Sequence, residues 1–190
     1  MPFAPPKTST DFDAAYSQPI TPWGDTRIPK EIIALVVDHS PRRALELGCG
    51  LGRFSRYVAQ QGVNTTGVDF SPTAISRARV RVAKDALKPD FVVGDVTRLD
   101  NLPGPFDVAF DVGCFHCLDE KEQRQYASEI ARLLAPGGVL LIWGIDDSPS
   151  GILLSPPVVE AAFAGKLQLV EGRKSRRRLA ASHWYWLKKC

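Results

Sequence analysis

Ala44-Leu45-Glu46-Leu47-Gly48-Cys49-Gly50-Leu51-Gly52 is the stretch whose reading decides the fold. An apolar run broken by Glu46 gives way to three glycines at two-residue spacing. Arg53-Phe54-Ser55-Arg56-Tyr57-Val58-Ala59 then opens a helix-like pattern. Strand, tight glycine loop and helix in that order form the mouth of a nucleotide-type cofactor site. Glycine is wanted there because it reaches backbone angles closed to other residues and lets a ligand lie against bare main chain.

Outward from the loop, strands and helices alternate. The patterns predict strands over Arg43–Leu47, Thr65–Asp69, Asp90–Val93, Phe106–Asp111 and Val139–Trp143. They predict helices over Pro29–Val37, Arg53–Gln61, Pro72–Leu87 and Lys121–Leu134, with Pro136-Gly137-Gly138 as a stop after the last. Alternation of this kind means a mostly parallel sheet with helices on both faces, doubly wound in the Rossmann manner, with ligands at the C-terminal ends of the strands. After Trp143 the rhythm changes. A short helix over Pro156–Phe163 precedes strands over Lys166–Glu171 and Ser182–Lys188, which must pair antiparallel or lie apart. The expectation is a seven-stranded α/β sheet ending in an antiparallel pair. Residues 1–28 read as a flexible arm or a lid, and 29–190 as a single domain.

Two cofactor classes compete for the loop. A dinucleotide site needs G-x-G-x-x-G or -A, but counted from Gly48 its last small position holds Arg53. No P-loop lysine or Ser/Thr follows. The alternative is a cofactor without phosphate. Here the chain resembles the class I S-adenosylmethionine-dependent methyltransferases, over roughly Pro41 to Trp143. The likeness rests on Glu46-Leu47-Gly48-Cys49-Gly50-Leu51-Gly52, Gly67-Val68-Asp69-Phe70-Ser71, Gly94-Asp95-Val96, Phe106-Asp107-Val108-Ala109-Phe110-Asp111 and Leu133-Leu134-Ala135-Pro136-Gly137-Gly138-Val139-Leu140, in that order.

The resemblance implies S-adenosyl-L-methionine as donor and S-adenosyl-L-homocysteine as product. It implies Asp69 for the ribose hydroxyls and Asp95 near the adenine, with Glu46, Gly48, Cys49, Gly50, Gly52, Phe70, Val96 and Asp111 completing the cofactor side. A carboxylate suits two vicinal hydroxyls, and acids lower the potential around a cationic sulfonium. Each acid also has a plain structural reading, as a cap or a solvated loop charge.

For the acceptor side, Asp111-Val112-Gly113-Cys114-Phe115-His116-Cys117-Leu118 follows the fourth strand. His116 is the catalytic candidate, against a reading in which it packs on the cofactor or caps the next helix. Cys114 and Cys117 lack a second ligand pair for zinc, and no metal site is expected. Within the superfamily this segment, Pro22-Trp23-Gly24-Asp25 and Ser182-His183-Trp184-Tyr185-Trp186-Leu187 look like the small-molecule thiol, thiopurine and tellurite branch. That likeness implies Tyr16 and Trp23 folded over the site, with Phe115 and Trp143 on the acceptor side; Trp23 alternatively packs on the first helix. A thiol acceptor needs little help because some thiolate exists at neutral pH, whereas a hydroxyl needs a base close by.

The composition fits this reading. The 190 residues, 24 Lys+Arg and 21 Asp+Glu give one soluble-type domain with a net charge of only +3. No apolar run reaches membrane length. The four cysteines make no disulfide framework, so a cytoplasmic location is expected. The partner expected is a small-molecule acceptor, and the chain a monomer or homodimer. Arg173-Lys174-Ser175-Arg176-Arg177-Arg178 reads as a solvated hairpin tip, with RNA methylation as the alternative. An O-, N- or C-methyltransferase of a natural product, a nicotinamide-dependent oxidoreductase and a cofactor-binding regulator without turnover remain the other readings.

Overall fold

The computed structural model describes residues 8–19, 21, 27–146, 150–175 and 181–190. Strand β1 (Arg43–Leu47) pairs in parallel with β2 (Asn64–Asp69) on one side and β4 (Phe106–Val112) on the other. β3 (Asp90–Val93) lies outside β2, and β5 (Leu134–Ile145) lies outside β4. β7 (Ser182–Lys189) runs antiparallel between β5 and β6 (Leu167–Ser175), which gives the seven-stranded order β3-β2-β1-β4-β5-β7-β6. The direction of winding reverses between β1 and β4. A crevice opens there at the C-terminal ends of the strands, where doubly wound sheets bind ligands.

Both faces are covered. Helices α2 (Lys30–His39) and α3 (Arg53–Gln60) place Ile32, Leu35 and Val58 with Val108, Phe110, Leu141, Trp143 and Trp184. On the other face α5 (Glu120–Leu133) and α6 (Pro156–Phe163) bring Tyr126, Ile130, Val159 and Phe163 onto Leu45, Leu47, Ala109, Leu140 and Ile142. Helix α4 (Pro72–Val82) buries Ile75, Ala78 and Val82 against Phe91 and Cys49. Alternate residues of one strand thus serve opposite cores, and the central strands carry apolar residues on both sides.

Several boundaries depart from the sequence expectation. α4 stops at Val82, short of Leu87, because the next residues turn: the Asp85 N–H reaches the Val82 carbonyl at 2.9 Å. The Asp85 carboxylate takes the Arg56 guanidinium of α3, and Leu87 is left exposed. β5 begins at Leu134, which pairs with Phe106, and an irregularity between Phe106 and Val108 absorbs the Pro-Gly-Gly segment. β6 continues to Ser175, so Arg173, Lys174 and Ser175 belong to a strand and not to a hairpin tip. Arg173 stacks 4.9 Å over Trp186 and pairs with Glu171; residues 176–178 of that basic cluster lie outside the described residues.

The arm also holds a helix that no periodicity announced. α1 (Ser9–Ser17) starts at a Thr8–Asp11 capping box and packs on α4. Asp13 accepts from the Thr73 N–H at 3.1 Å, the Thr73 hydroxyl at 2.9 Å and the Ser71 hydroxyl. These hydrogen bonds hold the Asp13 carboxyl below its ordinary range. At the other end of α1, Arg77 donates to the Tyr16 and Gln18 carbonyls.

Candidate active site

The loop at residues 48–52 turns through left-handed backbone angles at each glycine. Two of them show why no side chain fits. A Cβ on Gly52, the N-cap of α3, would sit 2.2 Å from Phe91 Cζ. A Cβ on Gly50 would sit 2.6 Å from the Tyr16 hydroxyl, so α1 lies directly over the loop. Phe12 of α1 meets Phe70 edge-on at 5.4 Å. Tyr16 and Phe70 are therefore at the crevice, whereas Trp23 lies outside the described residues.

Asp69 ends β2 and is 2% exposed. Its Oδ2 accepts the Gly50 N–H at 2.8 Å and its Oδ1 the Ser71 N–H at 2.9 Å. A carboxylate has about four acceptor positions, so two bonds tie Asp69 to the loop without saturating it. Burial raises its pKa against the pull of those two bonds. Asp95, after β3, is exposed; its Oδ1 accepts the Thr97 N–H at 2.8 Å and hydroxyl at 2.7 Å. Val96 beside it is buried.

Glu46 and Asp111 are occupied differently. Glu46 Oε2 accepts the Ser55 N–H at 2.7 Å and the Ser55 hydroxyl. It caps the first turn of α3 in place of Gly52, which has no side chain to do so. Asp111 Oδ1 accepts from the Gly113 and Cys114 N–H groups at 3.1 and 2.8 Å. Its Oδ2 accepts from the Phe115 N–H and the Tyr126 hydroxyl at 3.0 and 3.1 Å. Burial pushes Glu46 up to about 8, with added repulsion from Asp69 and Asp111, and pushes Asp111 up to about 7. The described contacts of these two acids organise the loops around the crevice. Burial likewise pushes up the Cys49, Cys114 and Cys117 thiols, the last to about 12, so none is a thiolate at neutral pH.

On the acceptor side, Phe115 turns inward. It is fully buried between Tyr126 and Phe163, with ring centroids 5.1 and 5.5 Å away. It is a core residue, and its N–H is held by Asp111 at the end of β4. His116 is 5% exposed and meets Trp143 edge-on at 6.2 Å. Trp143, 4% exposed, packs in turn near Trp184 at 6.4 Å. Sequence reasoning missed one pair here. His183 Nδ1 lies 2.6 Å from Asp146 Oδ1, with both side chains partly exposed. The residues are far apart in the chain and meet only because β7 runs back along β5, so spacing carried no signal.

The arrangement discriminates between cofactors. A dinucleotide sets its pyrophosphate on the N–H groups of the helix after the loop. In this chain Glu46 already occupies that first turn. Buried Glu46 lies close enough to Asp69 and to Asp111 to be repelled by both. A cation relieves that repulsion and a pyrophosphate adds to it.

Comparisons with known proteins give the family and the fold. A family model described as a methyltransferase domain matches residues 44–138, half of the 190-residue chain. The chain belongs to that family. An uncharacterized methyltransferase of Schizosaccharomyces pombe is 32% identical over 89 residues, 47% of this chain and 61% of that protein. The chain thus spans about 61% of the length of that curated relative. A structure solved in work on conversion of a disulfide bond into a thioacetal group during echinomycin biosynthesis superposes with TM-score 0.84 at 23% identity, covering 95% of this chain and 91% of that one. The N-methyltransferase NodS from Bradyrhizobium japonicum WM9, in complex with S-adenosyl-L-homocysteine, superposes with TM-score 0.79 at 18% identity, covering 97% and 99%. Among the described residues no helix is long and apolar enough to cross a membrane.

Proposed function

We propose that this chain is a cytoplasmic S-adenosyl-L-methionine-dependent methyltransferase acting on a small-molecule acceptor. The observation that carries the reading is Asp69: a buried carboxylate at the end of β2, fastened to the Gly50 N–H at 2.8 Å and not saturated. It would take the ribose hydroxyls, Asp95 would face the adenine, and the acidic crevice would favour the sulfonium. Tyr16 would close the site from above. The donor brings an already activated methyl group, so the protein's work is positioning and exclusion of water. No connection between the elements is long enough to form a separate recognition domain, which supports a small acceptor. Four free cysteines support a reducing compartment.

Isothermal titration with S-adenosyl-L-methionine and with NADH tests the reading. Binding of the first and not the second is expected; the reverse would discard it. Asp69→Ala should weaken the first by about 1–3 kcal/mol, the scale of hydrogen bonds lost from a charged acceptor. Unchanged affinity would place the ribose elsewhere.

A further inference from the structure

We propose that Arg53, Arg77 and Arg81 form a binding site for a phosphate group beside the glycine loop, and that a phosphate held there fastens α1 over the loop. Arg53 is the first residue of α3, directly after Gly52. A Cβ on Gly52 would stand 3.1 Å from Ala78 Cβ, so the start of α3 lies against α4 next to Arg77. Arg77 and Arg81 are four residues apart on α4 and therefore share one of its faces. Arg79, between them in sequence, turns elsewhere and holds the Phe91 carbonyl at 2.6 Å.

The three guanidinium groups have no carboxylate among them. Nη1 of Arg53 is sealed from solvent and has no hydrogen-bond partner. Arg77 uses Nη1 for both the Tyr16 and Gln18 carbonyls at the end of α1, which leaves Nη2 and Nε for another acceptor. Asp85 stands four residues beyond Arg81, where a helical ion-pair partner belongs. It is taken instead by the Arg56 guanidinium of α3, at 2.5 and 2.8 Å. Among the described residues none of the three arginines lies in an ion pair. Partial burial and the charges of Arg77 and Arg53 hold Arg81 below the ordinary guanidinium range.

A buried charge is ordinarily paired, and a charged N–H without an acceptor is costly. Like charges four residues apart on a helix add to that cost. An anion relieves both. Guanidinium groups from two helices approach from more than one direction, so the fitting ligand offers more than the two oxygens of a carboxylate. A phosphate group has at least three acceptor oxygens around one tetrahedral centre and takes forked guanidinium bonds. Arg81 is exposed and Arg53 half-buried, which gives the ion an open side to enter by and an inner donor to reach. Binding is by charge-assisted hydrogen bonds alone. Because Arg77 also holds the last carbonyls of α1, an ion shared by Arg53 and Arg77 ties α3, α4 and α1 together where Tyr16 covers Gly50.

Thermal unfolding and calorimetry of the whole chain in low-salt buffer test the site. Inorganic phosphate is the probe, and sodium chloride at matched ionic strength is the control. Phosphate should raise the wild-type Tm, and chloride should raise it by less than about half as much. Arg53→Gln and Arg81→Gln should each weaken phosphate binding about tenfold or more. Without phosphate both variants should be at least as stable as wild type, because a repulsion is removed. Arg124→Gln, on α5 and paired with Glu120, should bind phosphate as wild type does. Phosphate should slow amide exchange across residues 9–17 about threefold or more in wild type and not in Arg81→Gln. Tighter binding of glycerol 3-phosphate than of free phosphate would make the ligand a phosphate ester, and the reverse the free ion; either supports the site. Equal effects of phosphate and chloride, phosphate affinity that survives both substitutions, or variants that lose stability without phosphate would each overturn the site. Exchange in α1 that phosphate leaves unchanged would overturn the fastening of α1.

Discussion

Asp111 illustrates how one side chain can hold a site together from behind. It gathers three consecutive N–H groups and the Tyr126 hydroxyl, and so converts the end of β4 into the turn that carries His116. Buried donors that lose their acceptor cost about 1–3 kcal/mol each, less where water can reach them. Asp111→Ala is therefore expected to lower stability by at least about 2 kcal/mol in urea unfolding, on the scale of those lost bonds. A change below about half that would mean the turn is held by its backbone alone. The residue type was legible in the sequence, since Asp111 stands at a strand end among family-like neighbours. Its partners were not, because they depend on how the chain folds back after Gly113.

At the scale of elements, α1 is the case where tertiary contacts decide. The helix has one capping box and a weak apolar face, and an isolated helix of nine residues is marginal in water. It persists because Asp13 caps the start of α4 and Arg77 of α4 takes the last carbonyls of α1. Asp13→Ala should raise amide exchange across residues 9–17 while leaving β1, β4 and β5 protected. Unaltered exchange in α1 would show that Tyr16 and Phe12 suffice to hold it. The same dependence on distant partners explains why α4 ends early and β6 runs on: Asp85 finds Arg56, and Arg173 finds Trp186. Neither partner is a neighbour in sequence. By contrast α5, followed by the Pro136-Gly137-Gly138 stop, was readable to within a residue at either end, and its Asp119–Glu122 capping box fixes where it starts.

For the whole molecule, the acidic crevice links stability to pH. Glu46 and Asp111 have pKa values raised to about 8 and about 7, whereas in the unfolded chain both ionise near ~4. Between those limits the folded chain holds protons that the unfolded chain has released. The stability these groups contribute is full below about pH 4 and is lost as pH rises through about 7 and 8. The free protein should accordingly lose unfolding free energy between about pH 5 and about pH 8, with a shallower slope in Glu46→Gln. A rising slope, or one that Glu46→Gln leaves alone, would contradict the assignment. A bound sulfonium favours the ionised carboxylates, so donor affinity should climb over the same interval.

Sequence by itself determined the alternation of strands and helices, the glycine loop and the place of Asp69, because each is written within one strand–loop–helix unit where spacing is local. It also gave the closing antiparallel pair, since no long helix separates the last two strands. Tertiary structure alone decided that Glu46 serves α3, that Phe115 faces the core, that α1 covers Gly50 and that His183 meets Asp146. Those outcomes depend on which distant segments come to lie side by side, and periodicity along a chain records the faces of an element but not the identity of what packs against them.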